Sequence, residues 1–221
     1  MINKEQLDTY RHKGMRKKLV EAVAKRGITN KDVLRAIDEV PRHLYFFDSV
    51  FLKRAYDDNA FPIGEGQTIS QPYTVAYQSS LLEIKKGDKV LEVGTGSGYQ
   101  ASVLAQLGAK VFSIERQKKL FDKTKILLSD LGYSSSVKCF YGDGFAGLPL
   151  YAPFDKIIVT AAAPFVPDSL LGQMKIGAML VIPVGENIQT MKRIIRVNET
   201  EWKEELFDNF RFVPMLEGKS N

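Results

Sequence analysis

The clearest pattern in the chain is an alternation of short apolar runs with amphipathic stretches, from Lys89 to Val184. The apolar runs have the length of buried strands, and the stretches between them repeat their apolar positions at helical spacing. Strands that alternate with helices form right-handed crossover units around a parallel sheet. We therefore predict a doubly wound, mostly parallel α/β fold with strands over residues 89–93, 110–115, 137–141, 155–160 and 178–184.

Different patterns flank this region. The first part of the chain has helical spacing that Gly27 interrupts, and Thr29 or Asn30 can cap a second helix before Pro41. Residues 54–72 contain glycine and proline but few periodic apolar positions, so we predict a long irregular connection, which compact domains keep mainly at functional sites. Residues 190–197 and 202–212 predict two further strands, antiparallel at the sheet edge.

Composition narrows the possible classes of protein. The chain has 221 residues, of which 44% are hydrophobic and 26% charged, as in globular proteins. The single cysteine, Cys139, excludes an internal disulfide framework, and two histidines are few for a histidine metal centre, so we predict no metal. The net charge of +5 is mild. A polar start and the lack of a long apolar stretch favour a cytoplasmic protein without a membrane partner.

The strongest local motif is LEVGTGSGY, residues 91–99, which follows the first predicted strand and opens a helix. Its three glycines permit a tight turn that approaches a ligand closely, and amides at a helix start favour anionic groups. A purely structural glycine turn explains the motif equally well. Tyr99 stands where the dinucleotide fingerprint needs a small residue, which disfavours NAD and an oxidoreductase. The candidate ligand contacts in this motif are Glu92, Gly94, Gly96 and Ser97.

Two more acids follow the next two strands. Glu115, followed by Arg116, lies 21 residues beyond Gly94, close to the spacing of about 20 at which an acid holds ribose hydroxyls. Asp143 and Gly144 can bind an exocyclic amine and a ring nitrogen, although an ordinary Asp-Gly turn is the plainer interpretation. Because the carboxyl ends of parallel strands share one edge, these groups converge there. Without a third pyrophosphate glycine, the order fits S-adenosylmethionine better than NAD.

The motifs together resemble known families. VLEVGTGSGYQ, SIE, GDG and the run APFDKIIVTAAAPFVPDSLLGQMKIGAMLVIPVG (152–185) are similar to the Rossmann-like sheet of class I methyltransferases. With GEGQTISQPYTVA (64–76) before them, they resemble protein-L-isoaspartate O-methyltransferases, over about Phe61 to Gly185 plus the tail RFVPML (211–216). The resemblance implies S-adenosyl-L-methionine as cofactor and S-adenosyl-L-homocysteine as product. It also implies one domain over residues 1–221: a helical N-terminal appendage (1–60), an active-site loop (61–76) and a cofactor-binding core (77–221).

The resemblance assigns roles at matching positions. Ser70 is expected at the methyl-transfer site, and Tyr73 and Val75 depart from members that carry histidine there, which leaves local substrate contacts open. A carboxylate acceptor is already ionised near neutral pH and needs no strong base. We therefore interpret Ser70 as a hydrogen-bond donor that orients the acceptor, with helix capping as its other possible role. The expected cofactor contacts are Gln67, Thr68, Ile69, Glu92, Gly94, Gly96, Ser97, Glu115, Arg116, Asp143 and Gly144.

The function implied is methylation of the free carboxylate of L-isoaspartyl residues in damaged proteins and peptides, with D-aspartyl residues as a further candidate. The methyl ester then permits repair through a succinimide. We expect a monomer without a nucleic-acid partner. Three alternatives remain at this point: a methyltransferase for RNA, one for a small molecule, and a module that binds the cofactor or peptide without catalysis.

Overall fold

The computed structural model describes residues 7–220. Short 3-10 helices occur at Arg42–Tyr45, Ser49–Arg54 and Pro149–Tyr151. The α-helices are α1 (Tyr10–Lys25), α2 (Lys31–Glu39), α3 (Pro72–Leu82), α4 (Tyr99–Gln106), α5 (Lys118–Asp130) and α6 (Asp168–Leu171). The strands are β1 (Phe61–Gly64), β2 (Gln67–Ile69), β3 (Lys89–Val93), β4 (Lys110–Glu115), β5 (Val137–Tyr141), β6 (Phe154–Val159), β7 (Met174–Val184), β8 (Gln189–Arg196) and β9 (Trp202–Phe210).

Seven strands form the main sheet, in the order β5-β4-β3-β6-β7-β8-β9. The chain starts the sheet at its middle with β3, which pairs in parallel with both β4 and β6. This reversal of direction opens a crevice at the carboxyl ends of the strands, where such sheets bind ligands. β8 pairs antiparallel with β7 and β9 antiparallel with β8. The predicted doubly wound sheet and its antiparallel edge strands are confirmed.

Both faces of the sheet are covered, which explains the nearly continuous apolar runs of its central strands. Val90 of β3 belongs to one buried cluster, with residues of α1 to α5. Its neighbour Leu91 belongs to a second cluster, which includes Leu170 of α6. Side chains of successive strand residues point to opposite faces, so β3 contributes to both clusters.

The N-terminal helices begin and end close to their predicted positions. The side chain of Asn30 accepts hydrogen bonds from the amides of Asp32 and Val33, so Asn30 caps α2. These helices pack mainly on α3 and α4. The appendage therefore lies against the part of the chain that leads into the predicted site. In the described part of the chain, no helix is both long and apolar enough to cross a membrane.

The prediction of an irregular connection over residues 54–72 is wrong in part. β1 and β2 form an antiparallel hairpin in which Phe61 pairs with Ile69. Phe61, Ile63 and Ile69 are buried. Strands of three or four residues are too short to show a reliable alternation in the sequence. The hairpin brings the segment before Pro72 over the carboxyl edge of the sheet.

Candidate active site

A cavity with an empty volume of about 770 Å³ lies at the carboxyl edge of the sheet. The cavity is built from the hairpin end, the glycine turn, the end of β4, the Asp-Gly turn and a segment near the C-terminus. Its walls include the predicted residues Gln67, Thr68, Ile69, Ser70, Gly94, Gly96, Ser97, Glu115, Arg116 and Gly144, together with Val75, Tyr99, Thr160, Val213, Pro214, Met215 and Leu216.

The glycine turn is fixed by a hydroxyl from a neighbouring strand. Thr160 follows β6, and its Oγ1 donates a hydrogen bond to the carbonyl of Gly94 at 2.7 Å. Gly94 has φ of 98°, and a Cβ there would lie 2.5 Å from Thr160 Oγ1. Any side chain at Gly94 would therefore be strained and would displace this hydroxyl. The turn depends on glycine for both reasons.

Glu115 lies at the end of β4 with both carboxylate oxygens directed to backbone amides. The amide of Gly96 donates to Oε2 at 2.8 Å, and the amide of Gln117 donates to Oε1 at 2.9 Å. Burial is the largest influence on this carboxyl and raises its pKa, against the backbone amides that lower it. Each carboxylate oxygen can accept more than one hydrogen bond. Glu115 can therefore hold the glycine turn and still accept from ligand hydroxyls.

Two predicted contacts lie outside the cavity wall. Glu92 is completely buried on the side of β3 that faces Ser113, whose hydroxyl donates to its Oε2. Thr95 of the glycine turn lies within hydrogen-bonding distance of the same serine hydroxyl, 2.6 Å between the oxygens. Burial raises the pKa of Glu92 to about 8. The structure therefore places Glu92 beneath the glycine turn, where burial favours the protonated form, and not in the cavity wall.

The second is Asp143, whose carboxylate is used by the protein itself. Its Oδ1 accepts from the amide of Phe145 at 2.9 Å, and its Oδ2 accepts from the amide of Gly218 at 2.9 Å. The half-buried Arg116 donates to the carbonyl of Gly218 at 3.2 Å. Both side chains thus hold the segment 213–220, which forms one wall of the cavity. Of the two residues predicted in this turn, Gly144 lines the cavity and Asp143 does not.

A second cavity adjoins the first, with an empty volume of about 1,280 Å³. The two cavities share Thr68, Ser70, Thr160 and Val213 as a common wall. Side chains in the second cavity include the basic Arg26 and Arg211 and the aromatic Tyr73, Phe210 and Phe212. Of the two departures noted in the sequence, Tyr73 faces this second cavity and Val75 the first.

Ser70 lies between the two cavities with its hydroxyl free. No described residue makes a hydrogen bond to that hydroxyl, whereas its carbonyl accepts from Arg42 at 3.0 Å. The N-cap position of α3 is occupied by Gln71, and Asp58 Oδ1 accepts from the amide of Tyr73 at 2.8 Å. The helix is thus capped by Asp58, so the alternative role of Ser70 as a cap is not the one adopted. Its hydroxyl remains available to a ligand.

Both histidines lie away from these cavities, in the N-terminal part. The rings of His12 and His43 stack with centroids 3.9 Å apart, and burial lowers the pKa of His43 to about 4. Asp8 lies near them, with one ligand atom from each residue within 4.8 Å of the others. However, Arg16 donates to both carboxylate oxygens of Asp8, at 2.9 Å each. Neither histidine is placed to act as a base at Ser70.

Several wall residues were not singled out from the sequence. Thr160 lies in the VTAAAP run, where only its place after a predicted strand could have indicated a role. Tyr99 was treated as an obstruction, yet its ring packs edge-on against Tyr45 at 5.5 Å and joins the N-terminal part to the glycine turn. Met215 and Leu216 belong to the tail RFVPML, whose position in the fold the sequence alone could not indicate.

Comparisons with known proteins agree with this geometry. Residues 14–220 match the model of the family described as protein-L-isoaspartate(D-aspartate) O-methyltransferase. A protein-L-isoaspartate O-methyltransferase of Christiangramia forsetii is 62% identical over 213 residues, which cover 96% of this chain and 99% of that protein. The corresponding protein of Flavobacterium psychrophilum is 59% identical, with the same coverage.

Solved structures show the same fold. One protein-L-isoaspartate O-methyltransferase superposes with a TM-score of 0.81 at 28% identity, over 90% of this chain and 65% of that one. Another, from Plasmodium falciparum and in complex with S-adenosyl-L-homocysteine, gives a TM-score of 0.80 at 24% identity, over 91% of this chain and 98% of that one. The family match over nearly the whole described sequence, together with relatives of this identity, settles the classification: the chain belongs to the protein-L-isoaspartate(D-aspartate) O-methyltransferase family.

Proposed function

We propose that this enzyme transfers a methyl group from S-adenosyl-L-methionine to the carboxylate of an L-isoaspartyl residue in a damaged protein or peptide. The observation that carries the proposal is the position of Ser70. Its free hydroxyl lies in the wall shared by the cavity at the glycine turn and the second cavity. A transferase needs such a point, where a donor and an acceptor meet.

The first cavity fits the cofactor by its chemistry. When bound, S-adenosyl-L-methionine supplies a methyl group activated by the positive charge of its sulfonium. Glu115 has acceptor capacity for ribose hydroxyls, because its two amide partners leave lone pairs unused. Gly144 lines the cavity, and a Cβ there would lie 2.5 Å from Val93 Cγ1, so the turn has no room for a side chain at this position. Gln67, Thr68, Ile69 and Ser97 complete the proposed contacts.

The second cavity suits a peptide acceptor better than a single small molecule. It is the larger of the two, and aromatic rings in its wall offer apolar contact to neighbouring side chains. Arg211 is exposed at this cavity and forms no ion pair among the described residues, so its charge favours a carboxylate-bearing ligand. Its two basic side chains, Arg26 and Arg211, stand beside the acidic Asp208, so the wall lacks the strong excess of positive charge that is typical of a nucleic-acid site.

The proposed chemistry asks the protein to orient rather than to ionise the acceptor. A carboxyl group with an ordinary pKa of about 4 is already an anion at neutral pH. Neither histidine faces the shared wall, which agrees with a reaction that needs no base. The Ser70 hydroxyl can donate to one carboxylate oxygen and leave the other free to attack. Orientation of this kind can lower a barrier by up to about 7–11 kcal/mol in well-aligned reactions.

The remaining parts of the proposal concern the oligomeric state, the cellular compartment and the partners. The enzyme is proposed to act as a monomer. One cysteine suits a reducing compartment such as the cytoplasm. Nucleic acid and membranes are not part of the proposed reaction, and D-aspartyl peptides are proposed as secondary substrates.

A transfer assay tests the function directly. The enzyme is incubated with S-adenosyl-L-methionine labelled in its methyl group and with two peptides that differ only in an Asp or isoAsp residue. We expect base-labile label in the isoAsp peptide alone, because a methyl ester hydrolyses in base. Equal labelling of both peptides, label in added RNA only, or no transfer despite cofactor binding would contradict the proposal.

The substitution Ser70→Ala tests whether the Ser70 hydroxyl donates a hydrogen bond to the acceptor carboxylate. Loss of a hydrogen bond to a charged group costs about 1.5–3 kcal/mol, so kcat should fall by about ten- to a hundredfold. Affinity for S-adenosyl-L-homocysteine should change little, since the carboxylate acceptor and not the cofactor loses a partner. Ser80→Ala is the matched control, because Ser80 lies on α3 outside both cavity walls and its hydroxyl donates to the carbonyl of Ala76. An unchanged kcat in Ser70→Ala would reject the role.

A further inference from the structure

Arg42 is the largest fully buried side chain described, with an exposed fraction of 0%. Its guanidinium donates hydrogen bonds to three backbone carbonyls: that of Ala55 at 2.6 Å, and those of Asn59 and Ser70 at 3.0 Å each. These carbonyls belong to the end of a 3-10 helix, to the connection before β1, and to the segment before α3. One side chain of the N-terminal part therefore joins three segments that converge on the shared wall.

The surroundings of Arg42 contain no direct counter-ion. Among the described residues, no carboxylate lies within ion-pair distance of it, and its Nε has no hydrogen-bond partner. The rings of Phe46, Phe61 and Tyr99 lie 5.1–5.8 Å from the guanidinium carbon. Burial lowers its pKa to about 10, so it stays charged at neutral pH. A buried charge without an ion pair is costly, and here carbonyls and aromatic rings compensate it.

The third of these carbonyls belongs to the peptide unit between Ser70 and Gln71. Just after that unit, the carboxylate of Asp58 accepts from the amide of Tyr73 at 2.8 Å and from the side-chain Nε2 of Gln71 at 3.1 Å. A cation therefore holds the carbonyl before α3, and an anion holds the amide in its first turn. The backbone around Ser70 is therefore held from both ends, and the Ser70 hydroxyl projects from it without a hydrogen bond to any described residue.

We propose that Arg42 is a positioning residue of the methyl-transfer site, which fixes the backbone of Ser70 so that its hydroxyl meets the acceptor carboxylate. The inference rests on the proposed function for its effect on catalysis. Arg42 touches neither cavity and acts only through the Ser70 carbonyl. Misplacement of an orienting group by about 1 Å can cost about a hundredfold in rate.

A second buried arginine provides the matched control. Arg16 of α1 is 5% exposed and, like Arg42, belongs to the N-terminal part. It donates to Asp8 and to the hydroxyl of Tyr56, and it makes no contact with Ser70. Arg16→Lys also removes hydrogen bonds of a buried guanidinium, here to a carboxylate and a hydroxyl, but leaves the contacts of the Ser70 segment in place. A purely structural role for Arg42 predicts the same outcome for both substitutions.

The experiment compares Arg42→Lys, Arg42→Gln and Arg16→Lys, at saturating concentrations of both substrates and well below each variant's unfolding temperature. A lysine keeps the charge but cannot reach three carbonyls with one amine. We expect both Arg42 variants to lower kcat by about ten- to a hundredfold, with the Kd for S-adenosyl-L-homocysteine changed less than about threefold. Arg16→Lys should keep kcat within about twofold of the original enzyme. An unchanged kcat in Arg42→Lys, or an equal loss in Arg16→Lys, would overturn the inference.

Hydrogen exchange gives a readout that does not depend on activity. Backbone amides of residues 67–75 should exchange faster in the Arg42 variants and at an unchanged rate in Arg16→Lys. If the original enzyme transfers no methyl group, the proposed function fails, while this comparison still decides the role of Arg42. Should neither Arg42 variant fold, the original protein decides: protection of residues 67–75 comparable with β3 supports the inference, and exchange as fast as in an open loop overturns it.

Discussion

The exchange of Glu115 for glutamine probes the cofactor site with the smallest change in shape. The two carboxylate oxygens accept from the amides of Gly96 and Gln117, at 2.8 and 2.9 Å. Glutamine has the same size but offers one carbonyl oxygen and one amide group that only donates. One of the two backbone amides must then face a donor, whichever way the side chain turns. The substitution therefore disturbs the glycine turn and removes an acceptor for ribose hydroxyls together.

The magnitude follows from the bonds that change. Hydrogen bonds to a charged group contribute about 1.5–3 kcal/mol each, and a buried amide left unpaired costs about 1–3 kcal/mol. The unpaired amide is present in the free protein as well as in the complex, so its cost cancels in the binding equilibrium. The loss of hydrogen bonds to the ribose therefore accounts for most of the change in binding. A loss of about 1.5–3 kcal/mol raises the Kd by about ten- to a hundredfold. The free energy of unfolding should also fall, because the amide of Gly96 or Gln117 is unpaired without ligand.

Titration calorimetry with S-adenosyl-L-homocysteine measures this change without a methyl acceptor. Glu21→Gln is the control, because Glu21 is exposed on α1 and the substitution removes the same charge far from the cavity. We expect the control to bind like the original protein. If Glu115→Gln binds with the original Kd while its fold is intact, Glu115 does not hold the cofactor, and the assignment of the first cavity fails with it.

Two further substitutions test the packing at the Asp-Gly turn and the buried carboxyl group beneath the glycine turn. Gly144→Ala should lower the free energy of unfolding by about 1–3 kcal/mol, because the new Cβ would lie 2.5 Å from Val93 Cγ1. Denaturant unfolding measures this loss. If the contact with Val93 is the cause, adding Val93→Ala to the same chain should recover part of the lost stability. Glu92→Gln removes a carboxyl whose pKa rises on folding to about 8. Since the folded state then binds a proton that the unfolded state releases above about pH 4.5, the original protein loses stability from there up to about pH 8. The glutamine variant should gain on it over that range, and a pH-independent difference in urea unfolding would contradict the raised pKa.

Much of the fold could be predicted from the sequence because its signals are local. The strands after Lys89 are apolar over their whole length, and Gly108 and Gly132 interrupt the helical spacing between them. The glycine turn and the acid 21 residues later follow from where a parallel sheet places its strand ends. These signals locate Gly94 and Glu115 in one cavity wall, as the structure has them.

The rest depends on contacts between distant parts of the chain. The sequence did not predict the hairpin from Phe61 to Ile69, because its strands are too short to show an alternation of apolar and polar positions. Asp143 is occupied by the amide of Gly218, 75 residues further along. Nothing near Asp143 in the sequence announces that partner. The sequence does not distinguish Arg42 from other charged residues, and only tertiary packing shows that it is buried against the Ser70 carbonyl.

The acids at the glycine turn show why residue type and spacing leave roles open. Glu92 and Glu115 both end up buried near the turn, but backbone amides reach only Glu115, whereas Glu92 has one serine hydroxyl. Amides stabilise a carboxylate, and burial without them favours the protonated acid. The charge of Glu115 raises the pKa of Glu92 further. The amides therefore favour the charged form of Glu115, whereas burial favours the protonated form of Glu92. The sequence E-x-G-x-G could not specify this difference because it does not state which acid the amides reach.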